Sequence, residues 1–354
     1  MRRAAGAMPP AMRAVVIREP GGPDVLEVRE IPRPEPGPGE VRVRIAASGV
    51  NRADLLQRLG LYPVPEGWPK DVPGLEHAGT VDALGEGVEH AAVGERGRGA
   101  AVVERGPRVA VGDRVMGSLG GGGYAEYVVT PAATVVPVPE GMDPVTAGAI
   151  PEVFMTAFDA VFLQEGLRAG ETLLVHAVGS GVGTAALQLG RRVGATVVGT
   201  SRTAEKLERA TELGLEHAVV GNEAWPERVL EITDGRGADV ILDLVGGAYL
   251  EGNQRVLAVG GRHIVVGVPS GPKAQVDLRV LMGRRASMRG TVLRARPVGE
   301  KAALARAFAE QVLPGFASGE LRPVIDRVLP AVEAAEAHRL MEANENFGKI
   351  LLEW

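Results

Sequence analysis

The sequence predicts an α/β fold in two parts: a β-rich segment, then a doubly wound parallel sheet. Three observations carry this reading. A strand, a glycine turn, a helix and a second strand follow one another within residues 172–206. Apolar strands and helical patterns alternate from about residue 141 onward. Short strand candidates punctuated by Gly and Pro precede them.

In the 172–206 unit, Leu173-Leu174-Val175 is an apolar run bounded by polar residues, the mark of a buried strand. Gly179-Ser180-Gly181-Val182-Gly183 follows. Ala185, Ala186, Leu187 and Leu189 then recur at helical spacing up to Gly194, and Ala195 to Gly199 forms the next strand. A pyrophosphate must approach the first free N–H groups of that helix, and side chains on the turn would hold it away. Gly181-x-Gly183-x-x-Ala186 fits the dinucleotide pattern. The pattern is weak alone, and an ordinary helix cap is its alternative. The flanking strands and helix strengthen it. Thr200-Ser201-Arg202 ends the second strand, and Lys206 lies one turn into the next helix. NAD sites usually carry an acidic residue there, whereas Ser201, Arg202 and Lys206 suit a 2′-phosphate. NADPH is therefore expected over NADH. The alternative is that Arg202 and Lys206 are solvated surface charges.

Taken in order, residues 1–11 carry two arginines without a sustained apolar stretch, and a disordered extension is expected there. Strands are expected at 13–18, 25–30, 40–47, 78–84, 113–116, 124–130 and 134–137, with a helix over Arg52 to Gln57. Short regular strands of this kind point to a partly open barrel. Residues 89–112 interrupt the pattern with an imperfect repeat, Ala92-Val93-Gly94-Glu95-Arg96 against Ala110-Val111-Gly112-Asp113-Arg114. A surface hairpin or loop without assigned function is expected. After the dinucleotide unit come a helix at 203–213, a strand at 217–220 and a helix at 226–233. A strand at Asp239 to Leu244, a helix near 249–258, a strand at His263 to Gly267 and one near 286–293 follow. A long amphipathic helix is expected at 299–317, then strand, helix and strand at 323–329, 331–343 and 348–353.

The net charge of -5 offers no electrostatic case for nucleic acid. With no cysteine, disulfides, thiolate zinc sites and a cysteine nucleophile are excluded. His77, His90, His176, His217, His263 and His338 show no ligand spacing. No apolar run reaches the length of a membrane span, and a cytoplasmic protein is expected.

The segments EPGGPDVLEV, SGVNRADLLQR, GLEHAG, GDRVMGSLGGGGYAEY, IPEVFMTA, HAVGSGVGTAALQL, ILDLVGGAYLEGN and AHRLMEANENFGKILLE are together highly specific. Through them the chain resembles the zinc-independent quinone oxidoreductases of the medium-chain dehydrogenase/reductase superfamily. It is most similar to the p53-inducible quinone oxidoreductase branch, over nearly all of residues 12–354. The resemblance implies a GroES-like catalytic domain, 12–140 with 313–354, interrupted by a Rossmann NADPH-binding domain, 141–312. Zinc-dependent members carry a cysteine ligand where this chain has Asn51, and a histidine where Leu75 precedes Glu76. Many also carry a four-cysteine lobe after the GDRV segment. No zinc is expected here.

By the same resemblance, Asn51 and Tyr62 line the acceptor side of the nicotinamide as the catalytic pair. Thr156, Gly267 and Val268 surround the ring, and Ser180, Gly181, Val182 and Gly183 hold the pyrophosphate. Asp243, Val245 and Gly246 follow a strand end near the cofactor. Asn344 and Lys349 reach toward the cleft from the tail. Relatives often place a tyrosine beside the adenine where this chain has Gly221-Asn222. The residues also allow plainer roles: Asn51 as a helix cap, Tyr62 as a packed aromatic anchor, Glu76 as a structural hydrogen-bonding group and Thr156 as an ordinary helix residue. The activity implied is hydride transfer to a quinone or enone, an acceptor that needs little Lewis-acid help. The alternatives are an NADPH-dependent enoyl-thioester reductase, with Tyr62 as the acid, and a non-catalytic crystallin-like NADPH-binding protein. Relatives pair the strand near 286–293 edge to edge between subunits, so a homodimer, or a tetramer, is expected.

Overall fold

The computed structural model describes residues 10–88 and 109–354, so most of the expected extension and residues 89–108 of the interruption lie outside the described residues. The β-rich part contains β1 (Ala11–Ile17), β2 (Leu26–Pro32), β3 (Glu40–Gly49), β4 (Glu76–Leu84), β5 (Arg114–Ser118), β6 (Tyr127–Pro131) and β7 (Val136–Pro137). The second part supplies β8 (Thr172–Val175), β9 (Thr196–Ser201), β10 (His217–Val220), β11 (Ala238–Asp243), β12 (Leu257–Val265) and β13 (Ser287–Gly290). The tail adds β14 (Ile325–Pro330) and β15 (Lys349–Glu353).

In the first sheet β3 pairs with β4 along one edge. Its other edge is divided between β6, over Glu40 to Arg44, and β15, over Ala47 to Gly49. The sheet curls about this strand, whose Val41, Val43 and Ile45 are buried. The β1–β2 ribbon closes over it through Val15 N donating to Tyr124 O at 2.8 Å. The second sheet is wholly parallel, in the order β10-β9-β8-β11-β12-β13. Leu173, Leu174 and Val175 of β8 are completely buried, as a strand covered on both faces requires. Strand order reverses between β8 and β11, and the carboxyl ends of these two strands open the crevice where such folds bind ligands.

The differences from expectation have local causes. The helix expected at 299–317 is two, Val298–Gln311 and Leu313–Ala317, because Pro314 has no N–H to continue the ladder. The helix expected to reach 258 stops at Val256, and β12 begins at once. Gly260 adopts φ 78° at a register break against β11, a bulge whose glycines read as a helix stop. The helices Pro144–Ala147 and Leu278–Arg284 are too short to announce themselves by periodicity. Pro151–Phe158, which runs on as a wider helical turn through Gln164, is buried nearly all round and so shows no amphipathic period. One core joins the parts: Met116, Val136 and Val138 pack with Val153, Phe154, Leu173 and Phe316. Among the described residues no helix is long and apolar enough to cross a membrane.

Candidate active site and cofactor cleft

The side of the crevice expected to receive the acceptor is built where β3, β4 and β15 meet. Asn51 ends β3's excursion and stands at the N-terminus of the helix Arg52–Arg58. It occupies the cap position, but its side chain turns elsewhere: Nδ2 donates to Glu76 Oε1 at 2.9 Å and to Gly49 O at 3.1 Å. Asp54 reaches back instead and accepts from Asn51 N at 2.8 Å. Lys349, first residue of β15, donates to Glu76 Oε1 at 2.6 Å, Asn51 Oδ1 at 2.8 Å and Val50 O at 2.9 Å. All three ammonium hydrogens are thus engaged, and Lys349 acts on the cleft by holding Asn51 and Glu76. Glu76 Oε2 accepts from the backbone N of Glu152, at the start of Pro151–Phe158, at 2.9 Å. Thr156 lies one turn further on the same face. These two are half-buried, whereas the rest of that helix is buried.

Tyr62 lies half-buried in the loop after Arg52–Arg58, with the Arg294 guanidinium 5.0 Å from its ring centroid. Burial raises the Tyr62 phenol, and Arg294 opposes the rise. Arg294 is itself buried; it donates to Gly120 O at 2.8 Å and to Gln57 Oε1, and its Nη1 has no hydrogen-bond partner. Burial pushes the Glu152 carboxyl up to about 8, and the neighbouring Glu76 adds to the shift. Asp54, which also accepts from Gly74 N and Tyr124 Oη, is pushed up to about 6 by burial.

Across the crevice, Ser180 caps the helix Gly181–Arg192, its Oγ accepting from Gly183 N at 3.1 Å. The N–H groups of Gly181 and Val182 open the helix, where backbone donors lack intrahelical partners. A Cβ on Gly181 would lie 2.8 Å from Val153 Cγ1 and 2.9 Å from Lys349 Cδ. The turn therefore abuts the acceptor side directly. A Cβ on Gly183 would lie 2.4 Å from Ala177 O, a backbone clash.

At the far end of the turn, Ser201 is buried and Arg202 exposed at the end of β9. Lys206 Nζ donates to Asn344 O at 2.6 Å, and Arg52 Nη2 donates to Asn344 Oδ1 at 2.7 Å. Asn344 ends its helix in the left-handed conformation, φ 57°, which turns both oxygens toward these cations. Burial lowers both Lys206 and Arg52, and repulsion from Arg202 lowers each further. Three cations thus converge from β9, the helix after it and the acceptor side.

At the end of β11, Asp243 accepts from Val245 N and Gly246 N, each at 2.8 Å, and from Asn253 and His263 at 3.0 Å. Burial would raise Asp243, but His263, His176 and the two N–H groups outweigh it and hold the carboxyl below its usual range. It shapes the loop from within. Gly246, at φ 88°, touches Val268, so the Val245–Gly246 and Gly267–Val268 loops form one wall of the crevice.

Sequence reasoning missed Glu152, Arg294, Arg52 and Tyr249. Glu152 had one signal, its place four residues before Thr156 in IPEVFMTA. Tyr249 Oη donates to Gly221 O at 3.1 Å, so a tyrosine from another element stands where Gly221-Asn222 supplies none.

A zinc-binding dehydrogenase family model matches residues 181–310, and an alcohol dehydrogenase GroES-like domain model matches 37–140. A quinone oxidoreductase from Pseudomonas aeruginosa is 33% identical over 94% of this chain and 96% of its own. The chain belongs to the quinone oxidoreductase-like members of the medium-chain dehydrogenase/reductase superfamily. A solved NAD-dependent alcohol dehydrogenase is 36% identical, with a TM-score of 0.82 over 97% of this chain and 100% of that one. A mycobacterial member solved with NADPH is 29% identical, with a TM-score of 0.80 over 97% and 100%. Membership gives an oxidoreductase that binds a nicotinamide cofactor. The solved relatives include one described as NAD-dependent and one solved with NADPH, so the choice of nucleotide rests on this chain's own residues.

Proposed function

We propose that this family member reduces quinones, or similar conjugated carbonyls, with NADPH and without zinc. The observation that carries the reading is the contact of two half-sites. The Gly181 turn, with helix N–H groups for a pyrophosphate, lies against Lys349, which holds Asn51 and Glu76 on the acceptor side. The bound nicotinamide supplies the hydride. The chain's own residues bind, orient and exclude water. Tyr62 faces the acceptor and is the donor for oxygen charge that develops during reduction, while Asn51, both of whose amide hydrogens are given to Glu76 and Gly49 O, lines the acceptor. Ser201, Arg202 and Lys206, joined by Arg52, suit a 2′-phosphate.

The donor set does not suit zinc. Glu76 and Asn51 already share one cation, the Lys349 ammonium, and Leu75 has no donor atom. Among the described residues no cluster of His, Cys, Asp and Glu has metal-site geometry. We place the acceptor-side unit at 12–140 with 313–354, supported by the β15–β3 pairing, and the cofactor unit at 141–312. β13 is the exposed edge of the parallel sheet, all four residues open. We infer a homodimer joined there; sedimentation showing a monomer would exclude it.

The test is oxidation of NADPH and of NADH against ortho- and para-quinones, an alkenal and crotonyl-CoA. Quinone turnover with NADPH is expected, and kcat/KM falls in Asn51→Ala and Tyr62→Phe. Turnover of crotonyl-CoA alone would make the protein an enoyl-thioester reductase. Binding of NADPH without any turnover would leave a non-catalytic dinucleotide-binding protein.

A further inference from the structure

Within the cleft one acidic side chain is left over. Glu152 opens the helix Pro151–Phe158, and its backbone N is pinned to Glu76 Oε2. Its carboxyl makes no hydrogen bond among the described residues, although Asp54 and Glu76 beside it are fully engaged. It shares the half-buried face of its helix with Thr156, and that helix reaches the crevice at Val153, beside the Gly181 turn. The charged and titratable groups around it come from every neighbouring element: Glu76 from β4, Asp54 from the helix after β3, Lys349 from β15, Lys301 from Val298–Gln311, and Tyr62 and Arg294 from the two loops above.

We propose that Glu152 is the proton donor of the reduction put forward above, on which this inference rests. Hydride addition brings one electron pair to the acceptor and leaves an anion on its oxygen. The Glu152 O–H bond breaks, a new O–H bond forms on that oxygen, and a glutamate carboxylate remains. Water entering the crevice returns the proton. A quinone thus gains one hydride and one proton and leaves as the hydroquinone.

The surroundings suit both halves of the cycle. Burial, Glu76 and Asp54 favour the neutral acid before transfer, which is what a donor at neutral pH requires. Lys349 and Lys301, with Arg294 close by, then receive the carboxylate. Tyr62, the other candidate acid, is raised above an already high phenol value and is the poorer donor. Its stacking on Arg294 suits it to orienting the acceptor.

The test compares Glu152→Gln and Glu152→Asp with the parent. Circular dichroism and NADPH binding verify that each variant folds. In the parent, kcat/KM is expected to be level at lower pH and to fall as pH rises through about 8. Glu152→Gln should lose about 10²–10⁴-fold and show no alkaline fall. Glu152→Asp should keep the fall at reduced rate. An independent readout is the infrared C=O band of a protonated carboxyl in the cofactor-free protein. It should be present at pH 7, disappear on titration through about 8, and be missing in Glu152→Gln. An unchanged rate and pH profile in Glu152→Gln overturns the proposal. So does a Glu152 carboxyl already ionised at pH 7. Absence of turnover with every acceptor removes the quinone reading instead, and the infrared titration tells the two failures apart.

Discussion

Lys349 and Glu76 lie 273 residues apart in sequence and 2.6 Å apart in space, both buried. Desolvating two charges is costly, and their pairing is tolerable only with the remaining hydrogen-bonding positions filled. Asn51, Val50 O and Glu152 N fill them here. Replacing Lys349 by Met strands the Glu76 carboxylate and should cost about 3–5 kcal/mol in urea unfolding. The double variant Lys349→Met/Glu76→Gln should recover much of that loss. Simple addition of the two single losses would show that the pair is not coupled.

The cations around Asn344 give a prediction about cofactor choice. Arg202→Ala would remove the charge-assisted contact proposed for the 2′-phosphate, worth about 1.5–3 kcal/mol, so NADPH affinity should fall roughly 10- to 100-fold while NADH is little affected. Arg52→Ala should act in the same direction, because Arg52 shares Asn344 with Lys206. Equal losses for both cofactors would assign the cluster to the pyrophosphate rather than to a 2′-phosphate. Fluorescence titration with each nucleotide decides.

What could be read in the sequence was what local pattern or a motif encodes. Leu173-Leu174-Val175 reads as a strand because both faces are buried, and Gly183 reads as a turn glycine because a backbone oxygen fills its Cβ position. Asn51 could be singled out, but its partner could not: no spacing rule joins residue 51 to residue 349, and only the pairing of β15 on β3 brings them together. Arg294 was illegible for the same reason. Its contacts, Gln57 in the helix Arg52–Arg58 and Gly120 and Tyr62 in loops, are brought together only by the fold. Tyr249 shows the limit of position-by-position matching: the turn after β11 brings a tyrosine, packed on Trp225, to hydrogen-bond Gly221 just after β10, where the local sequence has none.

Two glycines of the phosphate turn should respond differently to the same change. In Gly183→Ala the new methyl meets Ala177 O at 2.4 Å and Val178 Cα at 2.7 Å, backbone atoms that cannot yield. Thermal stability should fall together with cofactor binding. In Gly181→Ala the nearest atoms are Val153 Cγ1 and Lys349 Cδ, side-chain atoms that can shift. The fold should survive with a small fall in melting temperature, and nucleotide affinity should drop selectively. If Gly181→Ala left affinity unchanged, the pyrophosphate would not lie on this turn.

Asp54 makes stability depend on pH in a stated direction. It accepts from Asn51 N, Gly74 N and Tyr124 Oη, yet burial outweighs these and pushes it from 3.8 up to about 6. The folded state therefore holds this proton more tightly than the unfolded chain. Its contribution to stability is complete below pH 3.8 and is lost as pH rises through about 6. Across that window the contribution should change by about 3 kcal/mol. Asp54→Asn cannot titrate, so the stability of the parent relative to the variant should decline from pH 4 to pH 6 and level off above it. Urea unfolding of both proteins across this range measures the difference directly. A parent that instead gains stability over the variant as pH rises would mean that the three hydrogen bonds, not burial, set the Asp54 equilibrium.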